Sequence, residues 1–139
     1  GHELLLEVIS GKHGKIETDT VALVLARFYD LGVRPDWWKL EPAADAATWK
    51  AITETIANRD THCRGIVILG LEASEDELLK SFEVAAAFDL VKGFAVGRTI
   101  FADVAEAWLS DKLDDETARN RMAGRFKTLA DGWMRLRGL

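Results

Sequence analysis

One lysine of the sequence stands in a setting that favours covalent chemistry. Lys39 follows two tryptophans and precedes a leucine inside a short apolar segment. Removing water from an ammonium group disfavours its charged form and favours the neutral, nucleophilic amine. This amine attacks the carbonyl carbon in Schiff-base catalysis. A structural role also stays open, because the side chain could reach solvent or pair with a carboxylate.

Two carboxylates accompany this lysine. Glu7 lies inside the apolar segment 4–9 and therefore needs either a charged partner or conversion to its neutral form, and both situations suit a general acid–base. Alternatively Glu7 forms a structural salt bridge, with Lys39 as its partner if the two segments are neighbouring strands. Glu41 comes two residues after Lys39 and is expected on the same strand face. It would either hold the lysine or cap the end of the strand.

A glycine-containing turn predicts an anion site. Gly97, Arg98 and Thr99 come directly after an apolar segment and begin a helical pattern. Glycine lets backbone N–H groups approach a phosphate, the helix N-terminus attracts negative charge, and the arginine offers a bidentate contact. Gly70, at the end of the preceding apolar segment, could contribute in the same way. Ordinary turns from strand to helix also use glycine, so a purely structural role stays open for both positions.

The elements that must position these residues follow from the alternation of apolar and amphipathic segments. Short continuous apolar runs indicate strands buried on both faces, over residues 4–9, 37–40, 65–71 and 91–96. Helical spacing and capping patterns predict helices over residues 19–31, 45–58, 74–87, 99–109 and 115–137. This order predicts an α/β fold with parallel strands, either a small doubly wound sheet or half of a barrel. Both architectures place ligands at the carboxyl ends of the strands.

Length and composition exclude several classes of protein. The chain has 139 residues and a net charge of −5, which suits one domain but not a complete (β/α)₈ barrel of roughly 250 residues. An acidic chain without a basic block is a poor binder of nucleic acid or anionic membranes. No P-loop or dinucleotide fingerprint is present. The single Cys63 and the absence of metal-ligand spacing lead us to expect no disulfide, metal or cofactor, and a cytoplasmic location.

Several segments of the sequence resemble one domain family. It is the aldolase-like domain that follows a ribokinase-type sugar kinase in bacterial inositol-catabolism proteins, usually called 5-dehydro-2-deoxygluconokinases. The resemblance covers nearly the whole chain and is carried by residues 4–9, 29–42 with the string Trp-Trp-Lys-Leu-Glu-Pro, 64–71, and 91–101 with the string Gly-Arg-Thr-Ile-Phe. That domain is in turn similar to class I tagatose-bisphosphate and archaeal-type fructose-bisphosphate aldolases, which are complete (β/α)₈ barrels with a Schiff-base lysine on strand six.

The resemblance implies a role for each predicted site residue. Lys39 matches the Schiff-base lysine, and Glu7 matches an acid–base glutamate on strand five. Gly70 and the Gly97-Arg98 pair match the phosphate-binding ends of strands seven and eight. Residues 1–139 would then be one half-barrel, strands five to eight of a (β/α)₈ barrel with a C-terminal helix. We expect such a half-barrel to be a piece of a larger kinase–aldolase-like protein and to be inactive alone.

The resemblance also implies a reaction and partners. The expected activity is class I aldol cleavage of a phosphorylated keto sugar acid, by pathway analogy 6-phospho-5-dehydro-2-deoxygluconate, to dihydroxyacetone phosphate and malonic semialdehyde. A half-barrel leaves two open sheet edges. We therefore expect self-association, or association with the missing N-terminal half-barrel and kinase domain. The alternatives are a non-catalytic sugar-phosphate-binding or structural module of the kinase, and a small flavodoxin-like regulatory domain, for which no acidic phosphorylation cluster is found.

Overall fold

Strands and helices alternate along the whole chain in the computed structural model, which describes residues 1–139 except for the side chain of His13. The elements are β1 (Leu5–Val8), a 3₁₀ turn (Gly11–His13), α1 (Thr20–Asp30), β2 (Trp37–Leu40), α2 (Ala46–Arg59), β3 (Gly65–Leu69), α3 (Glu75–Ala85), β4 (Val91–Ala95), α4 (Arg98–Leu109) and α5 (Asp115–Arg137). The predicted α/β class and the predicted order of elements are confirmed. No helix in the described part of the chain combines the length and the apolar character needed to cross a bilayer.

The strands form one parallel sheet in the spatial order β1-β2-β3-β4. A doubly wound sheet reverses its strand order at a switch point, whereas each strand here pairs with the next strand along the chain. The right-handed crossovers between these strands then all proceed in the same direction across the sheet, and they therefore place their helices on the same side of it. The topology therefore corresponds to part of a TIM barrel rather than to the doubly wound alternative.

The hydrophobic core lies on one face of the sheet. Trp38 and Leu40 of β2 and Ile66 and Ile68 of β3 are fully buried there, together with side chains of α1, α2, α3 and α5. The buried Trp38 indole donates a hydrogen bond of 2.8 Å to the Tyr29 hydroxyl. Burial raises the pKa of Tyr29 to about 12, so this phenol stays neutral and serves the core. This packing fixes the strands on which the site residues lie.

The opposite face of the sheet is more open. It carries Leu5 and Glu7 of β1, Trp37 and Lys39 of β2, and Val67 of β3, all of them half-buried or exposed. Because side chains alternate along a strand, these residues share the face that points into the interior of a complete barrel. Lys39 and Glu7 therefore belong to the face that does not pack on the helices.

The third strand is shorter than the sequence pattern predicts. β3 ends at Leu69 instead of at residue 71, because the backbone then enters the left-handed region at Leu71 (φ 45°) and Glu72 (φ 63°). Neither residue is a glycine, for which such angles cost least. The turn redirects the chain at the carboxyl edge of the sheet, next to the start of α4.

Candidate active site

A cleft of about 180 Å³ lies at the carboxyl ends of the strands and contains most of the predicted site residues. Its lining includes residues from the ends of β1, β2, β3 and β4, as expected for the ligand-binding edge of a parallel sheet. The predicted site residues that the cleft brings together are Glu7, Lys39, Gly70, Gly97, Arg98 and Thr99. Glu41 does not line it.

Lys39 and Glu7 form an ion pair inside this cleft. The two residues are directly opposite each other in the β1–β2 register, and Lys39 Nζ lies 3.2 Å from Glu7 Oε1. The lysine side chain is 24% exposed and the glutamate side chain 43%. A proton can move directly between groups at this separation. The same contact also satisfies the alternative of a structural salt bridge, and at this exposure such a pair stabilises the fold by about 1 kcal/mol or less.

Glu41 lies apart from this pair and holds a loop. Its side chain is buried (7% exposed), and its carboxylate accepts hydrogen bonds from the backbone N–H groups of Ser10 at 2.6 Å and Gly11 at 3.1 Å. A Cβ atom at Gly11 would lie only 2.8 Å from Glu41 Oε1, so the loop and the carboxylate fit closely. These contacts hold the loop that follows β1, whereas the two roles expected from the sequence are to hold Lys39 or to cap the end of its own strand. Among the described residues, Lys39 pairs with Glu7 and not with Glu41.

The other end of the cleft is formed by two glycines and the start of α4. A Cβ atom at Gly70 would lie 3.0 Å from a methyl group of Val96, and one at Gly97 would lie 3.0 Å from the Phe101 ring. Gly97 is the N-cap residue of α4 and offers no side-chain cap. The first N–H groups of a helix have no partners within the helix. In α4 the Ile100 N–H nevertheless donates to the Gly97 carbonyl oxygen at 2.8 Å, which leaves the N–H groups of Arg98 and Thr99 for an anion.

The arginine of this turn is already paired within the chain. The guanidinium of Arg98 donates a hydrogen bond to Glu72, which follows β3. Thr99 Oγ donates to the carbonyl oxygen of Ala73 at 2.7 Å, which ties the same loop to α4. Glu72 is a site residue that is not among those predicted from the sequence. Its position two residues after Gly70 is the only signal that points to it.

A second, wider cleft of about 540 Å³ adjoins the first on the far side of Arg98. Arg125 of α5 also lines this cleft. Its guanidinium donates to Asp103 at 2.8 Å and to the Ile100 carbonyl oxygen at 3.3 Å, and its Nε lies 3.6 Å from Glu75 Oε1. Hydrogen bonding to Arg125 lowers the pKa of Asp103 to about 2. Arg125 therefore joins α5 to the start of α4 and to α3. No pattern in the sequence marks Arg125, because its partners are far away along the chain.

The described residues contain no cluster of three or more histidine, cysteine or acidic side chains that could hold a metal ion. Cys63 is half-buried, and burial raises the pKa of its thiol. A thiol with a raised pKa is a weak nucleophile near neutral pH. The arrangement that can do chemistry is thus an amine and a carboxylate at one end of a cleft, with backbone N–H groups and an arginine at the other.

The comparisons with known proteins agree with this architecture. A fructose-bisphosphate aldolase from Plasmodium falciparum, solved in complex with TRAP and a small-molecule inhibitor, is similar in structure, with a TM-score of 0.60 and 14% sequence identity. The similarity covers 95% of this chain and 44% of the aldolase chain, so this chain spans less than half of that protein. At this identity the likeness establishes an aldolase-like fold alone.

The family follows from the sequence. A family model described as an uncharacterized protein conserved in bacteria (DUF2090) matches residues 1–137, and the chain belongs to this family. No curated protein matches the sequence.

Proposed function

We propose that the cleft is a class I aldolase site in which Lys39 forms an imine with the keto carbon of a phosphorylated sugar. One observation carries the proposal: the Lys39–Glu7 pair, 3.2 Å apart, shares a cleft with the uncapped start of α4. An amine, a proton carrier and an anion cradle are the three parts that this reaction needs. The aldolase-like fold supports the proposal.

Glu7 would move the protons of each step. It takes a proton from the Lys39 ammonium, and the free amine adds to the carbonyl carbon of the substrate. Glu7 then returns the proton as water leaves, which gives the protonated imine. Glu7 next removes the proton of the hydroxyl group on the carbon β to the imine carbon. The bond between the α and β carbons then breaks, and the β carbon leaves as an aldehyde. The electron pair of the broken bond stays on the lysine-bound fragment as an enamine. Protonation of the enamine carbon by Glu7 and hydrolysis of the imine release the ketone and restore Lys39.

The substrate would be held by its phosphate. Gly70 and Gly97 let the turns after β3 and β4 pack closely against Val96 and Phe101. The N–H groups of Arg98 and Thr99 at the start of α4 would donate to the phosphate, and the Arg98 guanidinium would stand beside it. The resemblance of the sequence to the inositol-catabolism domains supports a keto sugar acid as substrate, with 6-phospho-5-dehydro-2-deoxygluconate as the first compound to test. It also supports a parent protein that carries 5-dehydro-2-deoxygluconokinase activity.

The proposed site would also need a partner that covers the two open edges of the sheet. β1 and β4 each have a neighbouring strand on one side only, and an unpaired parallel edge is a template for another strand. A second copy, related by a two-fold axis along the strands, would set its β1 against this β4 and its β4 against this β1. The N-terminal half of a barrel would cover the same edges. In this proposal, catalytic turnover requires such a partner, whereas imine formation with a small ketone phosphate proceeds, more slowly, on the residues of this chain alone.

A non-catalytic sugar-phosphate-binding module is the second candidate function. The observation that favours it is the existing ion pair, because a lysine engaged by a carboxylate on a wet strand face also fulfils a structural role. In this case the anion end of the cleft would bind a sugar phosphate without forming an imine. The module would then stabilise or regulate a fused kinase.

Borohydride trapping separates the two functions. The chain is incubated with dihydroxyacetone phosphate and sodium borohydride, and the reduced adduct is located by peptide mass spectrometry. We expect one adduct on Lys39, absent in Lys39→Ala and present in Lys50→Ala, whose lysine is exposed and pairs with Glu54 on α2. The absence of an adduct at saturating ligand, or an adduct spread over exposed lysines, would demote Lys39 to an ion-pair partner and favour the binding module.

A further inference from the structure

The loop between β3 and α3 has an unusual backbone that places a carboxylate on the arginine of the anion cradle. Leu71 and Glu72 are consecutive non-glycine residues in the left-handed region, with φ of 45° and 63°. Such conformations persist only where the surroundings enforce them, and they concentrate at binding sites. This loop therefore directs the Glu72 side chain to a defined place.

Two hydrogen bonds enforce the loop conformation. The Ala73 N–H donates to the Gly70 carbonyl oxygen at 2.8 Å and closes the turn. The Ala73 carbonyl oxygen accepts from Thr99 Oγ at 2.7 Å, which attaches the turn to the first residues of α4. Glu72 lies between these two attachments and reaches Arg98, which is 26 residues further along the chain. The contact is therefore built by the fold and not by proximity in sequence.

Glu72 and Arg98 line both the cleft that contains Lys39 and the wider cleft beside it. Their side chains are 64% and 58% exposed. A pair this exposed is weak and exchanges readily, and its carboxylate can rotate into the wider cleft or into solvent. The pair thus lies at the boundary between the two clefts, where an anion that binds Arg98 more strongly can replace Glu72.

We infer that Glu72 competes with the ligand phosphate for Arg98 and so sets the affinity of the cleft for anions. This inference rests on the anion cradle of the proposed function. In the unliganded chain the carboxylate neutralises the guanidinium, and a phosphate must exchange for it before Arg98 can bind bidentately. Glu72 is thus an affinity-determining residue that takes no part in bond making or breaking.

The test uses inorganic phosphate as the probe and isothermal titration calorimetry as the measurement. The variants are Glu72→Gln, Arg98→Gln and the control Asp76→Asn. Asp76 is an exposed carboxylate in the first turn of α3, for which the structure records no ion pair among the described residues. We expect Glu72→Gln to bind phosphate up to about fivefold more tightly, the ratio that corresponds to an exposed ion pair. Asp76→Asn should change the affinity much less, and Arg98→Gln should abolish binding.

The other outcomes separate the competition for Arg98 from the anion cradle and from the aldolase chemistry. Phosphate binding that is equal in the Glu72→Gln variant and the unsubstituted chain, or equally tightened by Asp76→Asn, would refute the competition while the anion cradle stands. The absence of binding in all variants, Glu72→Gln included, would refute the cradle and the competition together. A tighter Glu72→Gln variant in a chain that gives no borohydride adduct would support the competition and refute the aldolase chemistry.

Discussion

Replacement of Glu41 by glutamine tests whether this buried carboxylate acts through the loop after β1 or through Lys39. In the structure the carboxylate accepts hydrogen bonds from two backbone donors, Ser10 and Gly11. Hydrogen bonds to charged groups contribute about 1.5–3 kcal/mol, against about 0.5–1.5 kcal/mol for neutral pairs. The loss of charge therefore costs about 1 kcal/mol for each donor, and we expect Glu41→Gln to lower the free energy of unfolding by about 2 kcal/mol.

Urea denaturation followed by tryptophan fluorescence measures this loss, with an unchanged dependence on denaturant concentration. Hydrogen exchange provides a local readout, because the Ser10 and Gly11 amides should exchange faster in the variant. The matched control is Glu54→Gln, which removes an exposed carboxylate that lies 3.8 Å from Lys50. This control should change stability by no more than about 0.5 kcal/mol.

The same variant separates positioning from chemistry. If Glu41 only holds the loop, the borohydride adduct on Lys39 still forms in Glu41→Gln at a similar rate. If the carboxylate contacts the reacting atoms, the rate of adduct formation falls by about 100-fold or more while stability changes little. A stability loss below about 0.5 kcal/mol together with unchanged exchange at Ser10 and Gly11 would refute the reasoning from the hydrogen bonds.

Three further predictions follow from the remaining charged groups and the sheet edges. Because Arg125 lowers the pKa of Asp103 to about 2, from an ordinary value of 3.8, the pair stabilises the fold fully above about pH 4. Because the Asp103 side chain is 68% exposed, that contribution is about 1 kcal/mol or less. It should disappear between pH 4 and pH 2 in urea titrations and be absent from Asp103→Asn, and an identical acid profile for that variant would contradict it. Glu7→Gln should slow adduct formation on Lys39 by about 100-fold or more, and an unchanged time course in the mass spectrometer would leave Glu7 a structural partner only. Sedimentation equilibrium should show self-association through β1 and β4, whereas a single monomeric species at high concentration would rule out pairing with a second copy.

Hydrophobic periodicity predicts the order of the elements because the strands are short apolar runs and the helices have one apolar face. The same order predicts that Lys39 and Glu7 lie on neighbouring strands, since consecutive parallel strands pair. The register of β1 and β2 then sets the two residues directly opposite each other. Alternation fails for Glu41, because β2 ends at Leu40 and the side chain after the strand is free to turn towards the loop. Alternation therefore predicts the direction of a side chain only within the hydrogen-bonded part of a strand.

Other parts of the site lack a local signal. The left-handed backbone at Leu71 and Glu72 carries no glycine, so no residue type announces the turn that ends β3. The contact of Glu72 with Arg98 and that of Arg125 with Asp103 each join residues more than 20 positions apart. Charged side chains are abundant on any surface, and the sequence alone does not pair them.

The two ends of the cleft differ in what they require from a partner. The anion end is built from the turns after β3 and β4 and the start of α4, and Thr99 and Ala73 hold those turns together within the chain. The amine end depends on Glu7, which lies on the edge strand β1 with 43% of its side chain exposed. A strand added at that edge would remove water from the Lys39–Glu7 pair and strengthen the electrostatic coupling between the two groups. Phosphate affinity should therefore be nearly independent of association, while the rate of imine formation should increase with it. Parallel changes in both quantities across a concentration series would show that the two ends form one cooperative unit instead.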